Sequence, residues 1–118
     1  MLTLEEKVDL LISVVLHEDK ISKIALSYGW NKEKVHKIYD IMEKYDQKIF
    51  NKENFTFGNI ENDFYLIGIN YQTLKSILIA FYDNEQYIEV IKIYLKTNYE
   101  AMGNISSEYN RIYKELFL

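Results

Sequence analysis

From Val35 onward, apolar residues return at intervals of three, four, three and four: Val35, Ile38, Met42, Tyr45 and Ile49. A strand repeats every two residues, whereas this spacing keeps one face of a 3.6-residue helix turned toward a core. The spacing predicts a helix over 32–49, opened by Asn31 as N-cap. The whole chain of 118 residues contains no proline, so nothing of that kind interrupts helical segments.

The same period runs through the rest of the sequence. Thr3-Leu4-Glu5-Glu6 has the spacing of a capping box, and Leu4, Val8, Leu11 and Val15 form a stripe, so a helix is expected over 4–18 with that stripe buried. A short helix over 21–28 ends at Gly29, where a left-handed residue suits a helix terminus. Phe50–Gly58 reads as a loop pinned by Phe55 and Phe57, and Asn59 as the cap of a helix over 59–67, closed by Gly68 or Asn70. Leu74, Ile77, Leu78 and Phe81 share a face of a helix over 71–82, and Ile79 and Tyr82 extend apolar surface to other faces, as in a central, buried helix. After a turn at Asp83-Asn84-Glu85, helices are expected over 86–99, stopped by Gly103, and over 106–116, capped by Ser106. The fold class is therefore all-α: one domain over 1–118, a compact bundle of six or seven helices, with 106–118 as a C-terminal helical extension. Its core should centre on Leu11, Val15, Ile38, Met42, Ile77, Phe81 and Ile91.

Composition excludes several chemistries. There is no cysteine, hence no disulfide, thiolate nucleophile or Cys-ligated zinc. The four glycines stand apart and form no phosphate loop, and no G-x-S-x-G or H-E-x-x-H pattern occurs. Glu33-x-x-His36 has the spacing of a carboxylate-bridged di-metal helix, but the other histidine, His17, lacks a matching carboxylate, so His36 reads as a solvated side chain. No catalytic residue, cofactor or metal is expected, and the chain reads as a non-enzyme.

The formal charge is −4, from 14 basic and 18 acidic residues, and thirteen of the basic residues are Lys, with Arg111 the single Arg. Residues 51–118 carry six basic residues and nine acids, so acidity leans to the C-terminal half. This is not the basic stripe of a phosphate-binding surface. Acids at Glu5, Glu6 and Asp9 do not fit a signal peptide, and no apolar run reaches the roughly 20 residues of a membrane span, so a cytoplasmic location without membrane contact is expected. Abundant Ile, Lys, Asn and Tyr suggest an AT-rich coding source, a low-GC bacterium or its phage.

One corner resembles a helix-turn-helix: Ala25 at a crossing point, Gly29 at the turn, then Val35 and Ile38 on the second helix. In the DNA-binding reading, Asn31, Lys32, His36 and Lys37 face a major groove, and Glu33 and Asp40 on the same face oppose it. Aromatic excess, 11 Tyr and 6 Phe, points elsewhere. Tyr45, Tyr94 and Tyr109 fall on apolar faces, whereas Tyr28, Tyr39, Tyr71, Tyr99 and Tyr113 fall at boundaries, where tyrosine serves as an interface residue.

The corner Tyr28-Gly29-Trp30-Asn31-Lys32-Glu33, Phe55-Thr56-Phe57 before a short helix, and Ala80-Phe81-Tyr82 leading to Tyr87 resemble the YhaI-like family of small helical proteins of bacilli over residues 7–96. The resemblance implies a helical domain capable of self-association and supplies no catalytic residue. A glycine expected in the second turn is absent from Asp83–Gln86.

By elimination, the sequence reads as a small regulator that binds another protein, a basic one, as a phage-encoded inhibitor of a nucleic-acid-acting partner such as an endoribonuclease toxin. Glu85, Glu89, Glu100 and Glu108 are the expected acidic contacts and Tyr87, Tyr99 and Tyr113 the anchors, with 106–118 alternatively a homodimer face.

Overall fold

The computed structural model describes residues 3–8 and 20–118, and every regular element among them is helical. In chain order these are α1 (Lys20–Tyr28), α2 (Lys32–Phe50), α3 (Phe57–Leu66), α4 (Tyr71–Asp83), α5 (Ile88–Met102) and a 3-10 turn (Ser107–Tyr109) that runs into α6 (Asn110–Phe117). Residues 4–8 are helical as well. The chain forms an all-α bundle, and α4 buries the largest set of side chains among the described helices, from Leu74 to Phe81. It packs against α1, α3, α5 and the 3-10 turn. Ile38, Met42, Ile77, Phe81 and Ile91 are all fully buried, as their spacing requires, whereas Leu11, Val15 and the expected course of the first helix to residue 18 lie outside the described residues.

The N-terminal segment corrects one expectation and meets another. The capping box is present: the Glu6 amide donates to Thr3 Oγ1 at 3.1 Å, and the Thr3 amide donates to Glu6 Oε1. The stripe is not buried at its start, since Leu4 is 79% and Val8 45% exposed. The contact this segment makes with α2 is polar instead: Glu6 Oε2 accepts the Lys32 amide at 3.0 Å, a donor of the first turn of α2 that has no partner within the helix.

The α1–α2 corner follows its residue types. Gly29 takes a φ of +69°, and the Trp30 amide reaches back to the Ala25 carbonyl at 2.9 Å, closing α1. Asn31 Oδ1 then accepts the Lys34 amide at 2.9 Å and opens α2.

Several boundaries differ from expectation; α5 runs on to Met102, up to Gly103, rather than ending at residue 99, and three helix starts also differ. Thr56, not Asn59, caps α3. Asn59 sits at the third helical position, and its Oδ1 accepts the Thr56 amide at 2.9 Å, so Phe57 and Gly58 belong to the first turn rather than to the loop. Glu85 and Tyr87 both adopt left-handed backbone, at φ +60° and +55°, and this delays α5 to Ile88. Glu85 thus holds the conformation expected of the missing glycine. Ser106 does not cap α6: its hydroxyl accepts Lys75 Nζ at 3.0 Å and donates to Glu108, and a 3-10 turn precedes the helix.

Candidate protein-binding surface

Helix α3 is clamped from both sides by buried tyrosines. Tyr45 of α2 donates its hydroxyl to Asp63 Oδ2 at 2.5 Å, and Tyr94 of α5 donates to Glu61 Oε2 at 2.6 Å. At the helix start, the Phe57 amide donates to Thr97 Oγ1 of α5 at 2.8 Å. Lys44 adds an ion pair to Asp63 at 2.8 Å. Desolvation works to raise the Asp63 carboxyl, but hydrogen bonds from Lys44 and Tyr45 outweigh it and hold the group below the ordinary carboxylate range. The Tyr45 and Tyr94 phenols are pushed well above their usual range, first by burial and then by charged and phenolic neighbours.

With Ile60 and Phe64 locked into the core, the residues that remain at the end of α3 face outward. Tyr65 is 72% and Leu66 73% exposed, and Tyr71, the first residue of α4, is 45% exposed. Tyr65 and Tyr71 border one cleft, and Leu66, next to Tyr65 in the chain, borders another. They form a ridge between the two clefts. One, of about 280 Å³, is lined by Glu61, Asn62, Tyr65, Ile69, Tyr71 and Leu74. The other, of about 270 Å³, is lined by Leu66 from the ridge, by Ile67 after it, and by Asn31, Glu33, Lys34 and Lys37 from the cap and first turns of α2.

Sequence reasoning missed Tyr65 and Leu66. A signal was present: on a helix read from sequence with an apolar stripe of Ile60, Phe64 and Ile67, two adjacent apolar residues fall off the stripe. The core does not need them there.

The residues singled out from sequence fall in several places. Glu85 and Tyr87 lie in the turn before α5 and Glu89 in its first turn, while Tyr99 and Glu100 lie near its end, and the 15 residues of that helix span about 22 Å. They do not form one compact patch. Tyr87 is an internal anchor: its ring packs edge-on against Phe81 at 5.1 Å, and its hydroxyl donates to Glu43 of α2. Glu108 is engaged by Ser106 and, at 3.5 Å, by Lys75 Nζ. Tyr99 stacks on Tyr113 at 5.4 Å, Tyr113 lies 4.7 Å from Phe117, and Lys92 approaches the Phe117 ring, so this stack is flanked by a cation as well as by Glu100. Arg111 bonds Asp83 at 2.8 Å and pairs with Glu115, tying α6 to α4.

The candidate DNA-reading residues are similarly committed. The Asn31 side chain caps α2, Lys37 pairs with Glu33 at 3.4 Å, and the Glu6 carboxylate sits on the Lys32 amide where a phosphate would bind a recognition helix. His36 is exposed. No cluster of three metal-ligating side chains occurs among the described residues, and His17 lies outside them. No helix among the described residues is long and apolar enough to cross a membrane. The chain matches no family model, no curated protein and no solved structure.

Proposed function

We propose that the protein is a small regulator that works by binding another protein through the Tyr65–Leu66 ridge, without chemistry of its own. The observation that carries this reading is the exposure of Tyr65 and Leu66 on α3, with Tyr71 of α4 beside Tyr65, where two part-buried tyrosine–carboxylate bonds fix the position of α3. Exposed apolar clusters of this kind, rimmed by polar groups, mark interaction sites, and tyrosine supplies contact area with few rotors to freeze. A rigid helix presenting them loses little entropy on docking.

The formal charge of −4 favours a basic partner. Basic grooves are characteristic of proteins that hold RNA or DNA, so an acidic helical ligand seated in such a groove excludes the nucleic acid. An antagonist of an endoribonuclease toxin or of a transcription factor fits this description.

Affinity capture from host lysate with wild-type protein and with a Tyr65→Ser, Leu66→Ser double variant tests the reading. A basic protein retained by the first and lost by the second supports it. Equal retention by both, or retention of nothing beyond the protein itself, removes it.

A further inference from the structure

We infer that the cleft between α3 and α4 receives one cationic side chain, an arginine or a lysine, from the basic partner. The inference deepens the protein-binding reading and relies on it only for the source of that side chain.

Size sets the first limit. At about 280 Å³, the cleft falls just below the range of about 300–1,000 Å³ typical of sites for drug-sized ligands, which suits a single side chain rather than a cofactor. Its lining sets the second. Ile69 and Leu74, both almost wholly buried, supply apolar surface, while Tyr65 and Tyr71 supply exposed aromatic surface and Glu61 the one ionisable carboxylate. A long side chain with an apolar stem and a charged head matches this succession of surfaces, because the stem covers the aliphatic part and the head meets rings and carboxylate.

The carboxylate is aimed before anything binds. Glu61 Oε2 is held by the Tyr94 hydroxyl from inside the core, and Oε1 has no hydrogen-bond partner among the described residues. Local charge sets the third limit. Lys75 Nζ lies 4.6 Å from the centroid of the Tyr71 ring and pairs with Glu108, so those two charges balance and Glu61 leaves the cleft with a net charge of one negative unit. An anion is repelled there. A neutral apolar group strips water from Glu61 and returns no hydrogen bond. A monocation satisfies it, and a guanidinium adds planar stacking on tyrosine.

The test is an amide chemical-shift titration of the isotope-labelled full chain with Nα-acetyl-argininamide, Nα-acetyl-lysinamide and, as the uncharged isostere of arginine, Nα-acetyl-citrullinamide. Saturable shifts at Asn62, Tyr65, Ile69 and Tyr71 with the two cations, and none with citrullinamide, are expected. Glu61→Gln keeps an acceptor for Tyr94 but removes the charge, and should weaken binding about tenfold or more. Tyr65→Ala, at an exposed position, should weaken it about two- to fivefold, and it keeps the assignment testable even if Glu61→Gln does not fold. Equal shifts with citrullinamide, shifts confined to other surfaces, no saturable shift, or unchanged binding by the variants would overturn the assignment. The titration needs no partner protein. Its failure therefore leaves the ridge to be judged by capture, and cation binding without capture counts against the ridge alone.

Discussion

The Tyr94 hydroxyl, buried within α5, donates a 2.6 Å hydrogen bond to Glu61 of α3, and on the other flank of that helix Tyr45 does the same for Asp63. Two residues apart on α3, these carboxylates act as handles by which α2 and α5 hold it. The short helix presents Tyr65 and Leu66 because its other side is fixed in this way.

Replacing Tyr94 by Phe removes one handle while the ring keeps its packing. Glu61 is half-buried and partly regains water, so the expected loss is about 1–2 kcal/mol. Tyr45→Phe should cost about 1 kcal/mol, since Asp63 keeps its bond from Lys44. Urea unfolding checks both: the midpoint should fall while the slope against denaturant stays constant. An unchanged midpoint for Tyr94→Phe would show that the bond contributes nothing to the clamp.

Backbone handedness gives a second pair of expectations. Glu85 sits at φ +60°, where a side chain is disfavoured, and glycine relieves it, so Glu85→Gly should stabilise the protein by about 1 kcal/mol. Gly29 at φ +69° has open space where a Cβ would go, so Gly29→Ala meets no clash and its cost of about 1 kcal/mol is purely conformational. Thermal unfolding of the two variants should shift in opposite directions; shifts of the same sign would contradict the assigned turns.

Stability should form a plateau in pH with one limb on each side. The Asp63 carboxyl is held below its unfolded value of about 3.9, so the unfolded chain takes up the proton first and stability is lost as pH falls below that point. The Tyr45 and Tyr94 phenols are raised above their unfolded value of about 10; as pH climbs past it the unfolded chain releases protons that the fold retains, and stability is lost again. Denaturation midpoints followed by circular dichroism across pH should show Asp63→Asn flattening the acid limb and Tyr45→Phe the alkaline limb. Limbs of unchanged steepness in both variants would refute the linkage.

The helices and most of the core were legible from sequence because one physical signal, the 3.6-residue recurrence of apolar side chains, suffices for them. Ile38, Met42 and Phe81 needed nothing more. Helix ends were less legible where two residue types compete for one role: Thr56 and Asn59 are both good caps, and only their reciprocal bonding decides which is first. Left-handed Glu85 and Tyr87 were not legible, because neither residue type signals that conformation, and tertiary contacts of Tyr87 with Phe81 and Glu43 enforce it. Ranking surface tyrosines by helix faces taken singly recovers Tyr99 and Tyr71 as exposed but cannot reveal that α3 and α4 bring Tyr65 and Tyr71 to one cleft. Juxtaposition across helices is a property of the fold rather than of any one helix's period.

That the Tyr65–Leu66 ridge is a protein-binding surface is tested most directly by comparing capture of a basic partner by wild-type protein, by Tyr65→Ser with Leu66→Ser, and by charge reversal at Glu85, Glu89 and Glu100. Both substitutions on α3 lie at exposed positions, so stability should stay within about 0.5 kcal/mol of wild type. The α3 double variant is expected to fold normally and retain no partner, while the reversal along the α4–α5 turn and α5 weakens capture only modestly. A folded α3 double variant that still captures the partner at wild-type level would contradict the assignment of the ridge.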